Sequence, residues 1–345
     1  DRSVTGRVAF QQTCGIVQLP LNNLGVATLD YQGIKGIATS IGHAPAAGLV
    51  DPGAGSVLSI AEALTNIIWA PIQDGLKGIS LSANWMWPAR NPGENARLYK
   101  AVKAVSDFAI ALGINIPTGK DSLSMTQKYK DEVVYSPGTV IISAVGEVLD
   151  IRKIISPVLK DIAKTNLIHI DFSKDQYCLG GSSFAQLTGN PGDKTPKANE
   201  ALYFANAFNA VQILIGKDKI LAGHDISAGG MITTLLEMTF AQNELGLDLD
   251  ISSIQEPDII KLLFSENPGI IIQVKEEESV IDFLTEAGIE FYLIGKPIQD
   301  RVITIAHGGI NLKFDIEKLR ECWFRTSYLL DRRQCGPELA QKRFD

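Results

Sequence analysis

Apolar and polar positions along this chain follow two periods, and the points where one replaces the other mark out its elements. Ala61, Leu64, Thr65 and Ile68 recur at helical spacing between Ser56 and Trp69. Between Asn95 and Leu112 the apolar stripe is Leu98, Val102, Val105, Phe108 and Ala109. Both segments predict helices that pack one face on a core. The run Gly138-Thr-Val-Ile-Ile-Ser-Ala-Val-Gly-Glu-Val148 is β-branched and follows Pro137, which predicts a buried strand. Residues 150–166 are richer in Lys, Asp and Pro, and the strand pattern restarts at Leu167-Ile-His-Ile-Asp-Phe172. The reading therefore places one domain at 1–150, a linker at 151–166, a second domain at 167–314 and a terminal helix and tail at 315–345. In the second unit, strands are expected at 167–172, 269–274, 291–295 and 302–306, with helices over 197–214, 229–242 and 277–287 and a last helix from near Asp315. Strands interspersed with helices indicate a mixture of α/β and α+β architecture.

With 345 residues, 45% of them hydrophobic, the chain is long enough for two cored domains. A net charge of −7 and the lack of any Lys/Arg run leave nucleic-acid or anionic-membrane binding without an electrostatic basis, so small-molecule partners are expected. Cys14, Cys178, Cys322 and Cys335 are too scattered for a disulfide framework or a structural zinc site, which points to a reducing, cytoplasmic setting. Apolar stretches are interrupted well before they reach the length of a membrane span. The start at Asp1 and the end at Asp345 suggest a piece of a longer protein.

Several segments have the composition for chemistry. Glu62 and Asn66 lie four apart, so on a helix they share a face and suit a hard cation such as magnesium; the same spacing also serves a polar pair on a solvated face. Gly223-His-Asp-Ile-Ser-Ala-Gly-Gly-Met231 sets a Gly-rich strand or turn before an apolar helix, where backbone N–H groups meet a phosphate. Asp225 would add a metal ligand and Ser227 a phosphate contact, while an ordinary helix cap with close packing at Gly229 and Gly230 explains the pattern equally well. Leu179-Gly-Gly-Ser-Ser183 is a second Gly turn, weak by itself. Ile116-Pro-Thr-Gly-Lys-Asp-Ser122 lacks the glycine spacing of a phosphate loop and reads as a Gly turn presenting Lys120, Asp121 and Ser122 together to an anionic ligand. Trp85 is expected in the core. His43, His169 and His307 have no acidic or nucleophilic partner nearby and read as structural or surface residues, and no nucleophile–base constellation can be assembled.

Taken in order, Asp1-Arg-Ser-Val-Thr-Gly6, Glu-Ala-Leu-Thr-Asn66, Leu-Ser-Ala-Asn-Trp-Met86, Gly-Lys-Asp-Ser-Leu-Ser-Met125, His-Asp-Ile-Ser-Ala-Gly-Gly230, Glu-Asn-Pro-Gly269 and Trp323-Phe-Arg-Thr-Ser-Tyr328 resemble the large-type phosphoribosylformylglycinamidine synthases over nearly the full chain. The resemblance is to the second of two fused aminoimidazole-ribonucleotide-synthetase-like copies, each an N-terminal-like α/β domain followed by a C-terminal-like α+β domain. It implies a purine-pathway ligase that uses ATP and glutamine-derived ammonia to convert formylglycinamide ribonucleotide into its amidine, with the first synthetase half and a glutaminase domain as partners. It further implies magnesium ligands at Glu62, Asn66, Asp225 and Asn23, the last where the family has Asp, and nucleotide contacts at Asn22 and Ser227. In the family this copy holds an auxiliary ATP or ADP. Gly119 would approach the nucleotide of the productive site, and Lys120, Asp121 and Ser122 would form its wall, with Ser122 near the substrate phosphate. The isolated chain is then expected to lack turnover and, with its partner copy missing, to self-associate. Two other readings stand beside this one. One is a scaffold with an empty nucleotide site; the other is a different ATP-dependent relative, such as a selenophosphate or thiamine-phosphate kinase type.

Overall fold

The computed structural model describes residues 6–344. Asp1–Thr5, which open the first resemblance motif, lie outside the described residues. The first domain is built on a six-stranded sheet with the spatial order Val8–Phe10, Leu24–Thr28, Gly36–Gly42, Thr139–Val148, Ile79–Met86 and Asn115–Ser122. All neighbours are antiparallel except the last pair, and that parallel pair is joined, as it must be, by a crossover helix, Glu94–Leu112.

Residues Gly36–Gly42 alternate strictly between buried and exposed. Ser40 and Gly42 face the Pro52–Ile67 helix, Ser40 donating to the Ala63 carbonyl at 2.6 Å, and small residues are needed there. A Cβ on Gly42 would come within 2.2 Å of the Ser59 carbonyl oxygen and 2.3 Å of the Ala63 nitrogen. The helix consequently lies hard against the sheet, and most of its residues are buried. It starts one turn earlier than the apolar stripe predicts, because Asp51 accepts from the backbone N–H groups of Gly53 and Ala54 at 2.9 and 3.1 Å and Pro52 supplies a first helical residue without a donor.

The second domain is a seven-stranded sheet ordered Ile220–Ile226, Gly269–Val274, Asn166–Asp171, Phe291–Ile298, Gly246–Asp250, Val302–His307 and Ile310–Asp315. The strands Gly269–Val274 and Asn166–Asp171 are buried on both faces, which explains why they read as unbroken apolar runs. Ile168, Ile170, Ile270 and Ile272 join the apolar cluster beneath the Ala201–Gly216 helix. Leu167 and Ile271 join the cluster beneath the Gly230–Phe240 helix. The strands Gly246–Asp250 and Ile310–Asp315 were not expected from the sequence: Asp alternates with Leu in one, and Lys, Asn and Asp interrupt the other. The terminal helix begins at Ile316, where the Asp315 carboxylate accepts from the Lys318 N–H at 3.1 Å.

The two domains share a core. Phe108 of the first meets Phe204 of the second edge-on at 5.9 Å. Gln212 donates to the Ile68 carbonyl at 2.6 Å and accepts from the Ile72 N–H at 2.7 Å, so a single side chain satisfies two backbone groups left over at the end of the Pro52–Ile67 helix. Asn209 similarly accepts from the Leu76 N–H at 3.0 Å.

One further difference concerns residues 119–122. They form the end of the edge strand Asn115–Ser122, because parallel pairing with Ile79–Met86 runs on through Lys120 opposite Asn84 to Ser122 opposite Met86. Strand alternation sends Lys120 and Ser122 to one face, where Lys120 Nζ donates to Ser122 Oγ at 2.7 Å, and sends Asp121 to the other. The three therefore do not converge as a turn would make them. Trp85 is only partly buried, packed against the first core, while Trp87 is the fully buried indole, donating to Glu94 at 2.9 Å.

His169, in the middle of the Asn166–Asp171 strand, is buried and lies flat against Tyr292. Burial pushes its pKa down to about 4, against a smaller upward pull from Glu290. The folded chain thus refuses a proton that the unfolded chain accepts. Stability is fully present above about pH 6.5 and is lost as pH falls toward 4. Urea unfolding of the parent and of His169→Leu should show the parent losing about 2–3 kcal/mol more than the variant between pH 7 and pH 4.5.

Candidate active-site cleft

An open cleft of about 740 Å³ lies on the first sheet, bordered on the second domain's side by Ser227. Glu62 and Asn66 project into it from one face of the Pro52–Ile67 helix, while Asn22 and Asn23 come from the approach to the Leu24–Thr28 strand and Ser227 from the turn after Ile220–Ile226. Asp225, two residues earlier on the Ile220–Ile226 strand, is buried and bound from the cleft side: Asn23 Nδ2 donates to its Oδ1 at 3.0 Å and its Oδ2 at 3.1 Å. A smaller apolar pocket of about 260 Å³ adjoins the cleft and shares His43, Glu62 and Ser227 with it.

The cleft is rich in oxygen atoms with nothing to bind. Asn22 Nδ2 donates to the carbonyls of Gln11 and Thr13 at 2.6 and 3.3 Å, and Asn66 Nδ2 donates to that of Ile41 at 2.8 Å. These bonds fix the amide orientation, and in both residues Oδ1 is buried without a partner, as is Gln12 Oε1 on the same cleft. A buried acceptor left unpaired costs roughly 1–3 kcal/mol, so three in one place suit a hard cation or a donor-bearing ligand. Among the described residues no three His, Cys, Asp or Glu side chains converge in metal-binding geometry, so any cation here depends on amide oxygens and on the ligand itself.

Charge is managed tightly around this oxygen cluster. Burial pushes the Glu62 carboxyl up to about 8; the His43 N–H, donating to it at 2.6 Å, pulls it back, and the negative charges of Asp225 and Glu266 raise it further. His224 is buried between two carboxylates, with Nε2 2.7 Å from Glu237 and Nδ1 3.3 Å from Asp225. Burial opposes its charge, but those two hydrogen bonds prevail and lift its pKa to about 10, so an imidazolium lies directly behind Asp225. Glu266 is an acid that ties loops together. Its Oε1 accepts from the Ser183 N–H at 2.7 Å and the Gly229 N–H at 2.8 Å, joining the two Gly-rich turns across the small pocket.

Of the residues singled out from sequence, Asn22, Asn23, Glu62, Asn66 and Ser227 line one cleft, with Asp225 bonded to Asn23. Gly119, Lys120, Asp121 and Ser122 do not line it; only their neighbours Pro117 and Thr118 do. Gly119 is instead pressed on the adjacent strand, where an added Cβ would stand 2.0 Å from the Ala83 carbonyl oxygen. Gln12, His43, Glu237 and Glu266 were missed. His43 follows an alternating strand and Gln12 sits in a polar stretch, so neither carries a local signal, whereas Glu266 stood inside a quoted motif with no role attached.

Comparisons with known proteins match two family models along the chain. Residues 1–147 match the family model described as the FGAR-AT PurM_N-like domain, and residues 178–308 match that of the AIR synthase related protein, C-terminal domain. Fold and matches together define a two-domain unit of the AIR-synthase-related class. The chain is 38% identical over 338 residues to the probable phosphoribosylformylglycinamidine synthase of Arabidopsis thaliana, covering 97% of this chain and 24% of that protein. It is 37% identical over 345 residues to the phosphoribosylformylglycinamidine synthase of Homo sapiens, covering 98% and 26%. It belongs to the phosphoribosylformylglycinamidine synthase family and spans about a quarter of the length of the curated relatives it matches. Among solved structures, T. maritima PurL complexed with FGAR superimposes with a TM-score of 0.69 at 15% identity, covering 87% of this chain and 48% of that one. Hydrogenase maturation protein HypE in complex with ATP does so with a TM-score of 0.56 at 14% identity, covering 84% and 86%. At such identities these two likenesses speak to the fold.

Glu266→Ala strips the acceptor from two backbone N–H groups at once. Chemical denaturation should show a loss of about 2–3 kcal/mol, and Glu266→Gln, which keeps one acceptor oxygen, a smaller one.

Proposed function

We propose that this chain is the nucleotide-binding second half of a ligase that converts formylglycinamide ribonucleotide, ATP and glutamine-derived ammonia into the amidine. The observation that carries the reading is the set of unpartnered amide oxygens of Gln12, Asn22 and Asn66 beside Glu62, in a cleft adjoining a pocket framed by the two Gly-rich turns. In this reading Glu62, Asn66, Asp225 and Asn23 hold Mg2+, Asn22 and Ser227 contact ATP or ADP, and the adjoining apolar pocket takes the less polar part of the nucleotide. Bound magnesium would neutralise phosphate charge; the chain's own residues orient the nucleotide and keep the two domains closed around it. That PurL has been solved with FGAR, ATP and ADP, and HypE with ATP, supports nucleotide binding by this fold.

The remaining three-quarters of the relatives' length leaves room for the first synthetase half and the glutaminase domain, which this reading requires for turnover. Lys120, Asp121 and Ser122, exposed or half-exposed on the edge strand, are then the wall that this half offers to the other. Free cysteines at all four positions fit a cytoplasmic location, and among the described residues no helix is long and apolar enough to cross a membrane.

Calorimetry with millimolar ADP and magnesium tests the site. Saturation at about 100-fold over the dissociation constant should stabilise the chain by about 2.7 kcal/mol, and Asp225→Ala should abolish the effect. With formylglycinamide ribonucleotide, ATP and ammonium salt, the chain alone should form no amidine. An unchanged melting temperature with nucleotide would favour the scaffold reading instead.

The outer face of the first sheet carries Ile37 and Ile41, 42% and 55% exposed, with Val145 on the neighbouring strand at 41%. Ile41 and Val145 also line the cleft, so a second copy of the chain covering this face would roof the cleft as well. Light scattering should report a dimer at high concentration, and Ile37→Asp should return it to monomer.

A further inference from the structure

Asp225 sits at the join of the two domains with its carboxylate wholly removed from solvent. A buried carboxylate must be neutralised or amply hydrogen-bonded. His224 attends to one side, and the other side is covered by Asn23, a residue 202 positions away in the first domain. The geometry of that contact is specific. A carboxylate only accepts, so the amide must turn its nitrogen toward Asp225 and its oxygen away. The nitrogen then stands nearly equidistant from both oxygens, at 3.0 and 3.1 Å, astride the carboxylate as a bidentate cation would be.

We infer that Asn23 is a built-in surrogate for a cation: its amide nitrogen holds Asp225, and so the seam between the domains, when no metal is present. A divalent ion reaching Asp225 must displace this contact and rotate the amide to present oxygen. The chain thereby exchanges cation affinity for stability without cation. Among the described residues no three His, Cys, Asp or Glu side chains meet in metal-holding geometry, and Asn23→Asp would add a carboxylate facing Asp225. The surrogate role stands apart from the nucleotide reading; only the displacement by metal rests on it.

The experiment uses the full chain freed of metal with a chelator and melted with and without MgCl2, no nucleotide being added. Asn23→Asp brings two carboxylates face to face, so its metal-free melting temperature should fall by about 5 °C or more, and MgCl2 should restore it while moving the parent by less than about 1 °C. Asn23→Asp combined with Asp225→Asn rebuilds the amide–carboxylate pair in reverse and should recover most of the metal-free loss. The double variant also decides the matter if the single variant does not fold. An Asn23→Asp chain that melts like the parent without metal, an equal magnesium response in both, or a double variant no better than the single one would overturn the inference. A parent that ignores magnesium–ADP while the variants behave as described would defeat the nucleotide reading and leave the surrogate role standing.

Discussion

Everything at the cleft depends on how closely the Pro52–Ile67 helix can approach the first sheet. Gly42 sets that distance, since any side chain there would strike the helix backbone. A helix held flat in this way has no freedom to rotate, so Glu62 and Asn66 keep their direction without support from a ligand. The cap at Asp51 fixes its start, and Gln212 of the second domain completes the backbone bonding at its end. Van der Waals contact, capping and interdomain hydrogen bonding thus act on one element, and that element carries two of the cleft's oxygen donors.

The second organising feature is electrostatic. Glu62, Asp225, Glu237 and Glu266 crowd a small volume that water reaches poorly, an arrangement that needs compensation. His224 supplies a positive charge between two of them, backbone N–H groups serve Glu62 and Glu266, and Asn23 serves Asp225. The unpartnered amide oxygens are the part of the cleft that the protein leaves uncompensated.

Much of this was legible in sequence where periodicity is strong. The Glu94–Leu112 helix and the Thr139–Val148 strand lie within a residue of their expected bounds because their apolar stripes end at Gly113 and Pro137. The Glu62/Asn66 spacing and the His224–Gly230 turn were visible as ambiguous patterns, and their meeting in one cleft is a property of the fold that no local window contains. Residues 119–122 misled for a physical reason. Glycine usually signals a turn, but Gly119 is there to let two strands come close, and the strand continues past it. His43 and Glu266 act through backbone N–H groups supplied or received at a distance, which leaves no trace in side-chain patterning.

The apolar cluster that runs unbroken from Leu24 in the first domain to Ile289 in the second has a mechanical consequence. The boundary near residue 150 divides the chain but not the packing, and swinging one domain away from the other would expose Phe108, Phe204 and their neighbours to water. The cleft is therefore no hinged jaw. Traffic through it must be handled at its rim, by the turn around Ser227 that Glu266 ties to the Ser183 turn of the adjoining pocket, while the body of the molecule stays rigid as an anvil.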